Sequence, residues 1–464
     1  MLFNSYEFIF VFLPIAVGVY FILGRLSASF SKAWLVLASL GFYAWWKPDF
    51  LIVLLFSLFF NYALGRQLVI KRSKPLLILG IVVNLALLGV FKYTDFVLTN
   101  INFLNLLPEP LPLTHWILPL AISFFTFQQI AYLVDSYKRV TRESSFLNYA
   151  LFVTFFPQLI AGPIVHHLEM MPQFAQSWVN RIRWDNIAKG SYIFSIGLAK
   201  KVLIADNFAR LATVGFDQLP VLSFEDAWVS SLSYTLQLYF DFSGYTDMAI
   251  GLAWMFNIKL PFNFNSPYRA VDIQDFWKRW HMTLSRFLRD YLYIPMGGNR
   301  SGEGKTYRNL FLTFLLGGIW HGAGWTFVIW GVLHGIATVI HRLWTKVGVR
   351  LPNPIAWLIT FLFVHIAWVF FRATSVDDAL KVFKGMLGQT GMGFSWQLSH
   401  VNAFPIDPGL CIVLALAFIW LVPNTNKLAE SFRPTWYRLA FQVATFSAVI
   451  MSLNEISEFI YFGF

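Results

Sequence analysis

The chain has 464 residues, of which 57% are hydrophobic, 19% aromatic and only 13% charged. A soluble domain carries about a quarter charged residues, so a mean hydropathy of +0.59 excludes a water-soluble fold. The net charge of +11 sits in short loops between apolar runs, which argues against a nucleic-acid partner and for contact with membrane lipids.

Apolar runs approaching the ~20 residues of a bilayer span recur along the chain, and the alternating ten-residue segments of a closed barrel do not. The expected class is therefore an all-α polytopic membrane protein. The opening stretch "MLFNSYEFIFVFLPIAVGVYFILG" shows neither a basic leader nor a small-residue cleavage site, so it reads as a first span with its N-terminus outside. Spans are predicted at 7–24, 33–46, 51–65, 76–92 and 115–136, leading to a cytoplasmic loop at 138–146. Cytoplasmic loops are assigned from their basic residues: Arg66, Lys71, Arg72 and Lys74; Lys138, Arg139 and Arg142; Arg342, Lys346 and Arg350; and the long loop 257–308.

The stretch 147–165 has cytoplasmic flanks on both sides. Its Pro157, Gly162 and Pro163 predict a re-entrant hairpin, buried in protein so that freed backbone groups find partners. Further spans at 191–205, 227–244, 309–320, 325–341, 354–371, 410–423 and 437–453 bring the total to about eleven transmembrane helices. All belong to one membrane domain, 1–464, read as N-terminal spans (1–256), a cytoplasmic amphipathic loop (257–308), a histidine segment (309–345) and C-terminal spans (346–464).

Several polar groups fall inside these apolar runs. "LPLAISFFTFQQIAYLVDSYK" carries Gln128, Gln129 and Asp135, expected to hydrogen-bond between helices. "YTLQLYFDFSGYTDMAIG" carries Asp241, Ser243, Tyr245, Thr246 and Asp247. A buried aspartate needs a partner: it would orient an imidazole, pair an arginine, or clamp helices structurally. "VDIQDFWKRWHMTLSRFLRDYLYIP" reads as one amphipathic helix, with Trp277, Trp280, His281, Leu284, Phe287 and Leu288 on one arc and Lys278, Arg279, Arg286 and Arg289 opposite. The basic face suits an interfacial anchor or the phosphates of a coenzyme A thioester.

In "LLGGIWHGAGWT", His321 stands in an uncharged run whose preceding span, 309–320, is too short to cross ~30 Å at ~1.5 Å per residue. A chain break near Gly317, Gly318, Gly322 and Gly324 is expected, with His321 at membrane depth as a functional group or a hydrogen-bonded structural one. His334 and His341 either line the same cavity or pack in the core. His166 and His167 are adjacent and share no face, so no metal site is assigned there. His115, His365 and His400 read as incidental, and the lone Cys411 as a small core- or lipid-facing residue.

The combination of "PFNFNSPYRAVDIQDFWKRWHMTLSRFLRDYLYIPMGGNR" with "LLGGIWHGAGWTFVIWGVLHG" resembles the membrane-bound O-acyltransferase family. "FFPQLIAGPIVHHLEMMPQF", "GLAKKVLIADNFA", "YFDFSGYTDMAIG" and "WVFFRA" extend the likeness to about residue 373, and its bacterial branch O-acetylates polysaccharides such as alginate. The resemblance implies helices around a thin central partition, with a cytoplasmic and an outside cavity meeting there. It implies catalytic roles for His321 and His281. Candidate donor-binding residues in the same motifs are Trp277, Lys278, Arg279, Trp280, Arg286, Arg289, Asn263, Asn299 and Trp320, with Asp241, Ser243, Tyr245, Asp247 and Gln128 as a polar network. No permanently bound cofactor is implied; acetyl-CoA or an acyl-carrier thioester is the co-substrate, and envelope polysaccharide-export proteins are the partners. The membrane would be the bacterial cytoplasmic membrane. D-alanyl transfer to teichoic acid is the nearest alternative within the family, and a transporter or envelope scaffold the alternative from another class.

Overall fold

The computed structural model describes residues 1–105, 107–395, 398, 401, 403–453, 459 and 460. All regular structure among the described residues is helical. In chain order the helices are α1 (Phe8–Leu26), α2 (Ala28–Ala44), α3 (Phe50–Ile70), α4 (Lys74–Phe103) and α5 (Ile122–Tyr137). Short α6 (Phe146–Thr154), α7 (Phe156–Leu159) and α8 (His167–Phe174) follow, then α9 (Trp184–Ala199), α10 (Asp206–Thr213) and α11 (Phe224–Met255). The loop predicted at 257–308 holds α12 (Ile273–Arg279) and α13 (Met282–Leu288). After it come α14 (Glu303–His321), α15 (Trp325–Val347), α16 (Asn353–Arg372) and α17 (Val376–Met386), then α18 (Pro408–Leu421), α19 (Thr425–Glu430) and α20 (Trp436–Ser452).

Among the described residues, five helices are long and apolar enough to cross a membrane: α1, α3, α4, α15 and α16. This is a multi-pass membrane protein. The segment expected to re-enter is broken into α6 and α7, nine and four residues long, each too short to span a bilayer. Tyr149 through Val165 are buried there, as irregular backbone at membrane depth requires.

Small residues let the central helices touch. Across the α9–α11 pair, a Cβ on Gly190 would lie 2.5 Å from the Gly251 carbonyl oxygen, and one on Gly197 would lie 2.5 Å from that of Gly244. With no hydrophobic drive between helices in lipid, such backbone approach supplies the van der Waals contact that holds them. The α14–α15 hairpin closes the same way at Gly318 and Gly331.

Three expectations change. The run 115–136 is helical only from Ile122, because Ala121 takes a left-handed conformation at φ 61° and starts α5 late. The run 309–320 belongs to a longer helix: α14 has 19 residues and so reaches about 28 Å. Its first turns, "EGKTYRN", are polar, which hid them from an apolar-run reading. The single helix expected over 271–295 is interrupted at His281, which sits at φ 43° between α12 and α13. The cause is a distant segment. The Asn265 amide donates to the Arg279 carbonyl and the Met282 amide donates to the Asn263 carbonyl, each at 2.9 Å, diverting backbone groups a continuous helix would use. The predicted break after His321 is present: Gly322 and Gly324 run extended before α15 begins.

Candidate active site

His321 is the last residue of α14. Three rings enclose its imidazole, with centroids at 4.8 Å (Trp320), 5.1 Å (Trp330) and 5.2 Å (Phe371). Trp320 in turn stacks on Phe127 at 4.6 Å, which ties α14 to α5. Lys92 reaches the His321 carbonyl at 3.0 Å, and His334 packs on the same Trp330 ring as His321, at 4.6 Å.

His281 is wholly buried and His321 is 5% exposed, so both imidazoles are closed off from the surface. The left-handed turn that breaks α12 from α13 presents His281 to Asn263, whose Oδ1 lies 3.1 Å from Nδ1. The same Oδ1 accepts from the Thr283 amide at 3.1 Å and its hydroxyl at 2.9 Å. Phe242 of α11 meets the His281 ring edge-on at 4.8 Å. Nε2 of His281 is buried without a hydrogen-bond partner among the described residues. It is the atom available to a ligand.

Trp277 and Trp280 join this shell. Trp277 Nε1 donates to His334 Nδ1 at 3.3 Å, and its ring lies 5.8 Å from Trp330. Trp280 packs on Trp368 at 5.0 Å. His334 is therefore a packed core residue, 4.6 Å from Trp330, while His341 approaches Asp272 at 3.7 Å near the surface.

The basic groups are largely engaged already. Arg279 bonds Asp275 at 2.8 Å, Arg289 bonds Asp290 at 2.7 Å, and Arg286 holds Glu169 through two bonds, the longer 2.9 Å. Lys278 is exposed. Asn299 is exposed in a turn after the π-helical segment Arg289–Tyr293, outside the buried shell.

Of the readings open to Asp241 and Asp247, the ion pairs fit the clamp between helices. Asp241 pairs with Lys201 at 2.8 Å, and Asp247 pairs with Lys200 at 2.6 Å and accepts from Thr425 at 2.6 Å. Neither pairs an imidazole or an arginine. A π-helical turn at Lys200–Ala205 points two consecutive lysines at α11, and the carboxylates answer them. Ser243 is buried on the same helix, and Tyr245 stacks between Phe3 at 4.8 Å and Phe459 at 4.5 Å. Gln128 Nε2 donates to the Phe152 carbonyl at 2.8 Å, fastening α5 to α6. Gln129 accepts from Tyr149 at 2.5 Å, and Asp135 accepts from Tyr291 at 2.9 Å. These are the interhelical bonds expected of them.

The remaining histidines disperse. His166 Nδ1 lies 3.0 Å from the Tyr291 hydroxyl, and His167 Nε2 lies 3.3 Å from Glu143. His365 is held by Thr235 at 2.8 Å and Ser231 at 3.3 Å. The His115 amide donates to Asp95 at 2.8 Å, and His400 lies outside the described residues. Cys411 is buried.

Sequence reading passed over Lys92. Its Nζ donates to the carbonyls of Trp320 at 2.6 Å and His321 at 3.0 Å. The signal was there: a lone ammonium in "LLGVFKYTDFVL". The span expected at 76–92 ends at this residue, whereas α4 runs on to Phe103.

A multi-pass helical protein that buries two imidazoles at adjacent chain breaks is the class this geometry defines. Residues 91–376 match the family model of the membrane-bound O-acyltransferases. The chain is 48% identical to the peptidoglycan O-acetyltransferase of Helicobacter pylori, covering 100% of this chain and 98% of that protein. It is 42% identical to a probable alginate O-acetylase of Pseudomonas aeruginosa, over 91% of this chain and 81% of the relative. A teichoic acid D-alanyltransferase of Bacillus subtilis is 29% identical over 54% of this chain and 68% of its own length. The chain belongs to the membrane-bound O-acyltransferase family, in the branch of its bacterial O-acetylating relatives, and is an O-acyltransferase.

Proposed function

We propose that this enzyme moves an acetyl group from a cytoplasmic thioester to a hydroxyl of an exported polysaccharide, with His321 as general base. The observation that carries the reading is the burial of His321 at the end of α14, with His281 buried in a second chain break, its Nε2 without a partner among the described residues. The names of the full-length relatives favour acetyl over D-alanyl transfer, because the teichoic acid enzyme is similar over a shorter stretch at lower identity.

In the proposed step, His321 takes the proton of the acceptor hydroxyl as its oxygen bonds to the acyl carbon. The carbon–sulfur bond then breaks and the leaving thiolate takes that proton from the His321 imidazolium, which returns the base to neutral. Amides of the extended 322–324 segment serve as oxyanion donors. His281 Nε2 positions the thioester or the leaving thiol, between Trp277, Trp280 and Trp320. Lys278, Arg279, Arg286 and Arg289, with Asn263 and Asn299, serve the donor side, whether the donor is acetyl-CoA or an acyl-carrier protein. Envelope proteins receive the product.

The proposed setting is the bacterial cytoplasmic membrane, with about eleven spans, the N-terminus outside, and a thin partition between two cavities. One contact supports the orientation. Tyr93 meets Ile319 at the end of α14 and Asn100 meets Trp325 at the start of α15, so the chain passing from α14 into α15 advances in the same direction as α4. Lys92 and His321 each lie 18 residues from the start of their helices, Lys74 (92 − 74) and Glu303 (321 − 303), which is in keeping with both basic loops on one side.

The test is release of free coenzyme A from acetyl-CoA by the purified protein in lipid nanodiscs, wild type against His321→Ala, with thermal unfolding followed for both. The reading expects thiol from wild type and none from a folded His321→Ala protein. Equal activity of the two would move the chemistry to another residue; a transporter or scaffold would release no thiol in either.

A further inference from the structure

The end of α14 leaves backbone groups that its own helix cannot satisfy. The helix stops at His321 and Gly322 runs extended, so the last-turn carbonyls have no following helical amide. Helix α4 meets three of them. Tyr93 Oη donates to the Ile319 carbonyl at 2.7 Å, and Lys92 Nζ donates to those of Trp320 and His321 at 2.6 and 3.0 Å. Nζ also reaches Ser123 Oγ on α5 at 3.4 Å and stands 5.8 Å from the centre of the Trp320 ring.

An ammonium at this depth is costly, and such groups persist where their charge is used. This one faces the negative end of the α14 dipole, where a cation is favoured. A lysine has three N–H donors, and here two go to carbonyls and the third to a hydroxyl. None is left for a substrate, so Lys92 acts through what it holds. One of the groups it holds is the backbone of His321.

We infer that Lys92 is a positioning residue for acyl transfer: its ammonium, clamped on the carbonyls of Trp320 and His321, fixes the end of α14 and so aims the imidazole. Tyr93 and Ser123 complete the clamp, making α4 and α5 the frame of the site. The inference rests on the proposed role of His321 as base.

The test measures kcat and donor KM for thiol release in nanodiscs, per folded molecule, with the unfolding temperature of each variant. The set is wild type, His321→Ala, Lys92→Met, Lys92→Gln, Lys92→Arg and Tyr93→Phe. Loss of the clamp lets the imidazole drift by a fraction of an ångström to an ångström. Lys92→Met should therefore lose about 10- to 100-fold in kcat with donor KM within about twofold of wild type. Lys92→Arg should recover a large part of the loss, because it keeps a charged donor at the helix end. A folded Lys92→Met protein with kcat within about twofold of wild type overturns the inference, as does a loss that falls on KM. If Lys92→Met does not fold, Lys92→Gln and Tyr93→Phe decide it: lowered kcat at unchanged KM supports the clamp, and unchanged kcat refutes it. His321→Ala separates the two claims. If it is inactive while Lys92→Met is fully active, only the clamp falls; if it is as active as wild type, the base assignment itself falls.

Discussion

A methyl group placed on Gly318 measures how tightly the segment that carries His321 is held. Its Cβ would stand 2.5 Å from the Phe327 carbonyl oxygen, 2.8 Å from Gly331 Cα and 3.0 Å from Gly331 N. These are backbone atoms of α15, so no side-chain rotation relieves them. Ordinary contact begins at 3.4 Å, and α14 and α15 must part by 3.4 − 2.5 = 0.9 Å. His321 is one turn further along the same helix. A displacement near 1 Å costs a reaction of this kind about 100-fold, or about 2.7 kcal/mol of transition-state stabilisation. The neighbouring Gly317→Ala is the control, since its Cβ would meet only Leu288 Cδ1 at 3.6 Å. Replacing that helical glycine should leave kcat unchanged and add about 0.5–1 kcal/mol of stability. Thiol release and thermal unfolding of both variants in nanodiscs make the comparison. Equal kcat for Gly317→Ala and Gly318→Ala would refute the argument that the α14–α15 approach sets the imidazole.

Other substitutions probe the surroundings. Lys201→Met removes an amine buried between Asp241 at 2.8 Å and Asp206 at 2.6 Å, and should lower stability by about 3–5 kcal/mol in thermal unfolding. Adding Asp241→Asn should restore part of it, and an unchanged unfolding temperature for Lys201→Met contradicts an ionised cluster. Asn263→Ala takes away the acceptor shared by His281 and Thr283, which should cost about 1–3 kcal/mol and at least tenfold in kcat. Asn263→Asp, which keeps the acceptor, should lose less in both measurements. Lys278→Ala combined with Arg279→Ala should raise the KM for acetyl-CoA several-fold at low salt and little at high salt. Unchanged KM would leave this basic face as an anchor for anionic lipid headgroups.

The parts of the site visible in the sequence are those whose cause is local. His321 could be placed at a break because the glycines that end α14 and open its contact with α15 lie within a few residues of it. The interruption of the 147–165 run into two short helices was legible from its Pro157, Gly162 and Pro163. The break at His281 was not, since an unbroken 3.6-residue period runs through it. What interrupts the helix is pairing with Asn263 and Asn265, which periodicity cannot reveal. The lysines that answer Asp241 and Asp247 lie about forty residues earlier, at a π-turn with no sequence signature. Lys92 was lost to a boundary: its helix carries on for eleven residues past it, to Phe103, and that extension sets its ammonium within the helix, against the end of α14.

The central claim is that His321 drives transfer of an acetyl group from a thioester on one face of the membrane to a hydroxyl for export. Proteoliposomes given radiolabelled acetyl-CoA on the side of the basic loops, with a peptidoglycan or alginate fragment on the other, test it directly. The account predicts labelled acetyl ester on the fragment with wild-type enzyme, and none with folded His321→Ala. Ester formed equally by both proteins would contradict it.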